Sequence, residues 1–436
     1  MDNLTVGILG VVAVLSLIAI RVQVGVVLGL VAFVGISVIA TTSAAWGILA
    51  SIPQNFVAQW SLSAIPMFLL MGYIASQCGL TSGLFASARI LLGRVPGGLA
   101  SSTVVASALF ASTSGSSVAT AAAFARIAVP EMLKANYKPS LATGCVAAAG
   151  TLGSLIPPSI LMILYGIFTN TSIGAIFLAG ILPGILSAAA YILMITVRAW
   201  RDPSLAPSIQ EKTSRSQIRA ALLDIWPLPL LIAAVLGSIF TGIATPTEAA
   251  ALGALVALAI AASRRSLSWL AIRKALVDTA EGTCTVLIIA VGAVMFSTFM
   301  GLSGLPNAFA ALLLEYVDSV IGVILVVAVL YIILGMFVES ASIMLLTIPV
   351  LQPILNSLGV DMIWFGIIVI KLLEIGMITP PVGMNVFVIR SALGRTVKLA
   401  SVFKGATWFI VTDLVTLGLI IAFPAIALYL PTLMMK

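Results

Sequence analysis

Predominantly apolar stretches at 4–20, 22–40, about 61–78, 140–160, 173–197, 225–242, 246–262, 281–300, 363–389 and 405–431 are separated by short polar connections. A run of roughly 20 apolar residues crosses the hydrocarbon layer as a helix, and only helices or closed barrels can do so with every backbone group paired. The runs are too long for barrel strands and lack their polar–apolar alternation. The pattern therefore predicts an all-α polytopic membrane protein. Two further stretches, 98–130 and 319–358, behave differently: each begins and ends among residues that belong on one side of the bilayer, so each is expected to enter and return as a re-entrant hairpin.

Charge fixes the threading. Basic residues fall in six connections: Arg21; Arg89 and Arg94; Lys134 and Lys138; Arg198 to Arg219; Arg264 to Lys274; and Arg390 to Lys404. All six become cytoplasmic if both termini are periplasmic, as the excess of Lys and Arg in cytoplasmic loops requires. The first hairpin then enters from the cytoplasm. The second, flanked by Glu315, Asp318 and Asp361, enters from outside. Composition supports the class, with 61% hydrophobic and 8% charged residues and a mean hydropathy of +1.23, against about 25% charged in globular domains. A pI of 9.5 thus reports topology and not nucleic acid. Cys78, Cys145 and Cys284 lie scattered in apolar segments and read as small core residues, with neither disulfide nor metal spacing. The first apolar run has no basic region before it and is expected to be a permanent helix, not a cleaved signal.

The threading makes the two halves antiparallel, and a repeat is present. A shift of 223 residues places Ser117 on Ser340, Pro130 on Pro353, Gly153 on Gly376 and Pro157-Pro158 on Pro380-Pro381. Each half thus holds a hairpin followed by a helix interrupted by two prolines. Proline has no N–H to donate, so carbonyls in the turn before each pair lose their helical partners. At membrane depth such carbonyls are tolerated where they line a wet or ion-filled cavity, and broken helices with nearby hydroxyls are a usual way of holding Na⁺ in a transporter. The hairpin tip SGSS, Ser114 to Ser117, supplies hydroxyls and a helix N-terminus whose amides face an anion. Its counterpart is VESAS, Val338 to Ser342, and the second break carries Thr379 and Asn385 in GMITPPVGMNVF. An isolated Ser-Gly pair is more often a helix-packing device. Recurrence of both elements at fixed spacing favours a site.

The segments SGSSVATAAAFARIAVPEML, GTLGSLIPPSILMILYG, AGILPGIL, TPTEAAALGA, GMFVESASIMLLTIPVLQPIL and GMITPPVGMNVFVI resemble the large membrane subunit of tripartite ATP-independent periplasmic (TRAP) transporters, the DctM-like permeases. The resemblance spans nearly the whole chain. It implies Na⁺-driven uptake of an organic acid across the bacterial inner membrane by an elevator motion. It also implies a separate small four-helix membrane subunit (DctQ-like) and a periplasmic substrate-binding protein (DctP-like). Carried over by position, ion sites would involve Ser116, Gly153, Ile156 and Pro157 in the first half. In the second they would involve Glu339, Ser340, Thr379 and Gly383. Substrate would lie between the tips, near Ser114, Gly115, Ser116, Ser117, Ser340, Ser342 and Asn385, with Lys371 adding positive potential. The expected organisation is scaffold helices at 1–78 and 225–300, transport elements at 79–197 and 301–404, a cytoplasmic linker at 198–224 and a C-terminal helix at 405–436.

Intramembrane charge needs a partner or a function. Lys371 and Glu374, three apart, share a helix face and are read first as a structural pair. Glu339 either binds a cation or holds the second tip. Thr245, Pro246 and Glu248 form a capping box at a helix start, and Arg126 is expected to snorkel to the cytoplasmic surface. The stretch MFSTFMGLSGLP carries no charge, so it offers no arginine clamp for a carboxylate. Its GLSG resembles the serine motif of intramembrane proteases, but such a serine needs a base, and the chain contains no histidine. GLSG is read as a helix-end turn, and an enzyme is excluded. The runner-up is a single-component Na⁺/carboxylate or citrate-type transporter. The substrate stays open among C4-dicarboxylates, 2-oxo acids, sugar acids and similar carboxylates.

Overall fold

The computed structural model describes residues 2–20, 22–81, 83–93, 95–207, 214–317 and 319–434. Arg21, Arg94, Asp318 and part of the central loop, all used in the threading above, lie outside the described residues. Within them the chain is helical throughout, with no strand. The first half runs α1 (Asn3–Ala19), α2 (Val24–Ile39), α3 (Thr42–Val57), α4 (Ala64–Gln77), α5 (Leu84–Leu92), α6 (Gly98–Ser114), α7 (Ser117–Lys134), α8 (Pro139–Leu155), α9 (Ile160–Thr169) and α10 (Ile173–Arg201). The second runs α11 (Arg215–Ile225), α12 (Pro227–Phe240), α13 (Pro246–Ser263), α14 (Trp269–Ser303), α15 (Leu305–Tyr316), α16 (Val320–Gly335), α17 (Ser340–Ser357), α18 (Met362–Ile378), α19 (Met384–Leu393), α20 (Leu399–Ala422) and α21 (Ala425–Met434). Seven described stretches are long and apolar enough to cross a membrane, or eight if the bent pair α3–α4 counts as one span.

The offset seen in the sequence recurs in the helix ends. α7 and α17 begin at Ser117 and Ser340 and end at Lys134 and Ser357. α8 and α18 begin at Pro139 and Met362 and end at Leu155 and Ile378. All four pairs stand 223 residues apart. Local chemistry accounts for several of these boundaries. Asp361 accepts from the Ile363 and Trp364 amides at 2.8 and 3.1 Å, capping α18. Thr245 and Glu248 form the expected reciprocal box, with Thr245 N–H donating to Glu248 Oε2 at 2.8 Å. Gly304, at φ +68°, ends α14 in the left-handed conformation that glycine adopts freely, so GLSG is a helix-end turn.

The hydropathy reading differs from the structure in several places. α3 is a full helix although its polar residues hid it, and it meets α4 at 60° across a 3-10 turn at Trp60–Ser63. α5, α11 and α15 are short helices inside stretches read as connections or helix ends. The run 405–431 is two helices, because Phe423 is followed by Pro424 and takes a non-helical conformation. Cys78 and Cys145 are buried, but Cys284 is exposed on α14 and is no core residue.

The packing crosses the two halves. α6 and α7 pack on α8, and α16 packs on α18. Yet α7 also packs on α19, the far half of the second broken helix, while α17 packs on α9, the far half of the first. Gln352 of α17 donates to the Thr169 carbonyl at the end of α9 at 3.2 Å. α20 packs along α8, closely enough that Gly405 lies against the Ser140 carbonyl with no room for a side chain. Helices α1, α2, α4, α13 and α14 pack on one another beside this core and meet it where α14 packs on α17 and α4 on α6.

Candidate functional site

Each hairpin tip closes on the break of its own half. In the first, Gly115 turns the chain at φ +59° between α6 and α7, and a methyl there would stand 3.3 Å from the Pro158 carbonyl. Gly153 faces the tip so closely that a methyl would sit 3.0 Å from the Ser116 carbonyl carbon and oxygen. Ser117, fully inside, meets Ser154 Oγ at 2.5 Å and donates toward the Thr151 carbonyl at 3.4 Å. Ser114 pairs with Thr120 at 3.0 Å, and the Ser116 hydroxyl caps α7 by accepting from Ala119 N–H at 3.4 Å. Ile156 and Thr379, which close α8 and α18, share one extended conformation, φ −85°, with ψ 119° and 134°. Pro157-Pro158 and Pro380-Pro381 are both cis.

The second half repeats the contact with different atoms. Gly335, ending α16, abuts Gly376, and a methyl on Gly376 would reach within 2.6 Å of the Gly335 Cα. The Gly383 amide, at φ +60°, donates to the Met336 carbonyl at 3.2 Å, tying break to tip. Thr379 donates its hydroxyl proton to the Ile375 carbonyl at 2.6 Å, so its oxygen retains acceptor capacity. Ser340 and Ser342 are buried, and neither hydroxyl has a hydrogen-bond partner. Glu339 is exposed and starts α17 without a side-chain cap. Asn385 is fully buried, donating to the Ala147 carbonyl at 3.3 Å while its Oδ1 is unpaired, so it bridges the second break to the first broken helix.

Hence Ser114 to Ser117 come together with Gly153, Ser154 and Pro158, the residues that flank Ile156 and Pro157. In the second half the break meets the tip at Gly335 and Met336, a few residues before Ser340 and Ser342. The arrangement supplies carbonyl and hydroxyl oxygens, the donor set of hard cations. Among the described residues no cluster of His, Cys, Asp and Glu could hold a transition metal.

Lys371 is placed elsewhere. It is fully buried on α18 and donates to Asp413 Oδ1 at 2.7 Å, Ser187 Oγ at 2.9 Å and Glu374 Oε2 at 3.3 Å. These contacts occupy its three protons. The pairing with Glu374 is the one that the i,i+3 spacing predicts. Asp413, on α20, was missed; its signal was a lone acid in the middle of an otherwise apolar run, with no basic residue within a turn of it on its own helix.

A helical membrane protein in which two hydroxyl-bearing hairpin tips close on two proline-broken helices has the architecture of secondary transporters with discontinuous helices. Among solved structures, the fold is similar to the YdaH transporter of Alcanivorax borkumensis, with a TM-score of 0.62 at 16% identity over 88% of this chain and 89% of that one. It is also similar to MtrF of Neisseria gonorrhoeae, with a TM-score of 0.60 at 15% identity over 88% and 84%. Residues 11–426 match the model of the tripartite ATP-independent periplasmic transporter, DctM component, and the chain belongs to that family. It is 36% identical over 373 residues to the C4-dicarboxylate TRAP transporter large permease protein DctM of Pseudomonas aeruginosa, covering 85% of this chain and 86% of that protein. It is 32% identical to the sialic acid large permease SiaM of Vibrio cholerae, over 87% and 90%. With the 2,3-diketo-L-gulonate large permease YiaN of Escherichia coli it shares 35% identity over 80% and 81%. The protein is a multi-pass transporter permease and not an enzyme.

Proposed function

We propose that this permease imports an organic acid across the bacterial inner membrane together with Na⁺. Its hairpins and broken helices would move as an elevator against α1 to α4 and α12 to α14. A periplasmic binding protein would deliver the substrate, and a four-helix subunit would enlarge the static part. The observation that carries this reading is the duplicated closure of a hydroxyl-bearing tip on a Pro-Pro break. Pro157 and Pro158 cannot donate to the Gly153 and Ser154 carbonyls, and the Ser116 backbone lies against Gly153 at the same junction, its hydroxyl capping α7. In the second half Thr379 and the unpaired hydroxyls of Ser340 and Ser342 provide the equivalent oxygens. Each cation would thereby sit where a helix end leaves partial negative charge, and a carboxylate between the tips would meet the amide ends of α7 and α17. The termini are proposed to be periplasmic, which makes the repeat inverted.

The relatives named above carry C4-dicarboxylates, sialic acid and 2,3-diketo-L-gulonate. Their shared chemistry is an acid group on a polar carbon frame, and that is the proposed substrate class. The deciding experiment reconstitutes the permease in proteoliposomes with its small subunit and a loaded binding protein. Uptake should require all three proteins and an inward Na⁺ gradient. Robust uptake of free substrate by the permease alone would instead mark a single-component carboxylate carrier, and uptake indifferent to Na⁺ would sink the coupling.

A further inference from the structure

Helices α10, α18 and α20 enclose three ionisable side chains that no step above uses. Lys371, Glu374 and Asp413 are all fully buried. One ammonium therefore faces two carboxyl groups where water cannot screen the excess charge. The two acids are treated unequally. Asp413 receives Lys371 at 2.7 Å and the Tyr191 hydroxyl, which stands 2.6 Å from each of its oxygens. Among side chains Glu374 meets only Lys371, at the longer 3.3 Å to Oε2; the Leu155 backbone amide lies beside its carboxyl, and its buried Oε1 makes no hydrogen bond of good geometry. A carboxylate bearing a full charge in that position would leave half its acceptor capacity unmet, at severe desolvation cost.

Nothing else nearby supplies the missing positive charge. Within the described residues α6, α8, α9, α12, α16, α17 and α21 carry no Asp, Glu, Lys or Arg. Arg198 and Arg201 of α10 and Lys404 of α20 lie about two turns or more along their helices, and Arg390 lies beyond the second break. Tyr165 donates to the Met362 carbonyl and Tyr331 pairs with Thr347, so neither phenol faces the cluster. A metal cation is disfavoured, because it would share the space with the Lys371 ammonium and would find too few oxygens.

We propose that Glu374 holds a proton when the protein is folded at neutral pH, making the Lys371–Glu374–Asp413 cluster an intramembrane proton-binding site. With Glu374 neutral, one ammonium faces one carboxylate and α18 can pack against α10 and α20. Removing the proton leaves an unmatched negative charge between these helices, one turn before the second break. This site is independent of the Na⁺ reading, and its test does not pass through transport.

The test is infrared spectroscopy of the full-length permease in lipid, in deuterated buffer at neutral pH. The wild type should show a carboxylic-acid C=O stretch from a buried group, lost in Glu374→Gln. Asp413→Asn should lose it too, since one ammonium then faces one ionised Glu374. Unfolding gives a second reading. The folded state binds one proton that the unfolded state releases, so the folded-to-unfolded ratio should fall as pH rises above the ordinary glutamate range. The fall should be about tenfold per pH unit until Glu374 itself ionises. Glu374→Gln should remove that component of the slope. Absence of the band in the wild type, its persistence in Glu374→Gln, or equal slopes in the two proteins would each overturn the assignment. The wild-type spectrum decides even if the variant does not fold.

Discussion

A methyl group at Gly72 would test whether α4 is a stop for the first hairpin. Gly72 lies on α4 directly against the Thr113 carbonyl, with Ser114 Cα 3.4 Å from where its Cβ would stand. In Gly72→Ala that Cβ falls well inside van der Waals contact of the Thr113 oxygen. The obstacle is backbone, which cannot rotate away, so tip and helix must part by roughly 1 Å, an overpacking costing about 1–3 kcal/mol. Alanine's better helix propensity does not enter this balance, because α4 is helical whether or not the tip is seated. A cost of about 2 kcal/mol reduces the population with the tip seated by about 30-fold, at 1.4 kcal/mol per factor of ten. The assay pairs cysteines at Leu69 and Ser114, which line one small cavity between α4 and the tip, in a background lacking Cys78, Cys145 and Cys284. Cross-linking should drop steeply in Gly72→Ala, and the uptake rate with it, while the Na⁺ concentration for half-maximal stabilisation stays near the wild-type value. Wild-type cross-linking and uptake in this variant would show that α4 and the tip do not bear on one another as described.

Gly237→Ala is the matched control, since a methyl there meets nothing within 4 Å; the melting temperature should hold or rise, consistent with a gain of up to about 1 kcal/mol. Ser116→Ala and Thr379→Ala should each raise the Na⁺ requirement for transport, about tenfold per 1.4 kcal/mol of coordination lost. Stability without Na⁺ should change by only about 1 kcal/mol, and unchanged Na⁺ dependence in both would place the ions elsewhere. Thr245→Ala should destabilise the start of α13 by about 1 kcal/mol through loss of the capping box, read as a lower melting temperature with uptake per folded protein retained. Cysteines at Ser204 and Gly242 should label from opposite faces in sealed vesicles, cytoplasmic and periplasmic, and labelling from one face would refute the threading.

Much of the fold was legible in the sequence because its causes are local. Pro157-Pro158 and Pro380-Pro381 interrupt helices wherever they occur, and Gly304 and the Thr245–Glu248 box mark helix ends through contacts within four residues. The 223-residue offset carried over from landmarks to helix boundaries because each half solves the same local problem in the same order. Tertiary structure decided what depends on distant partners. No periodicity announces that α7 packs on α19 and α17 on α9, since an apolar helix face suits many neighbours equally well. The sequence placed Lys371 beside Glu374 three residues away, but Asp413, Tyr191 and Ser187 come from other helices, and only folding sets two acids against one base. Polar residues in α3 concealed a helix that hydropathy alone could not count. Backbone rules act over a few residues and can be read along the chain, whereas the pairing of buried charges and the seating of each tip on its break are settled by which surfaces meet.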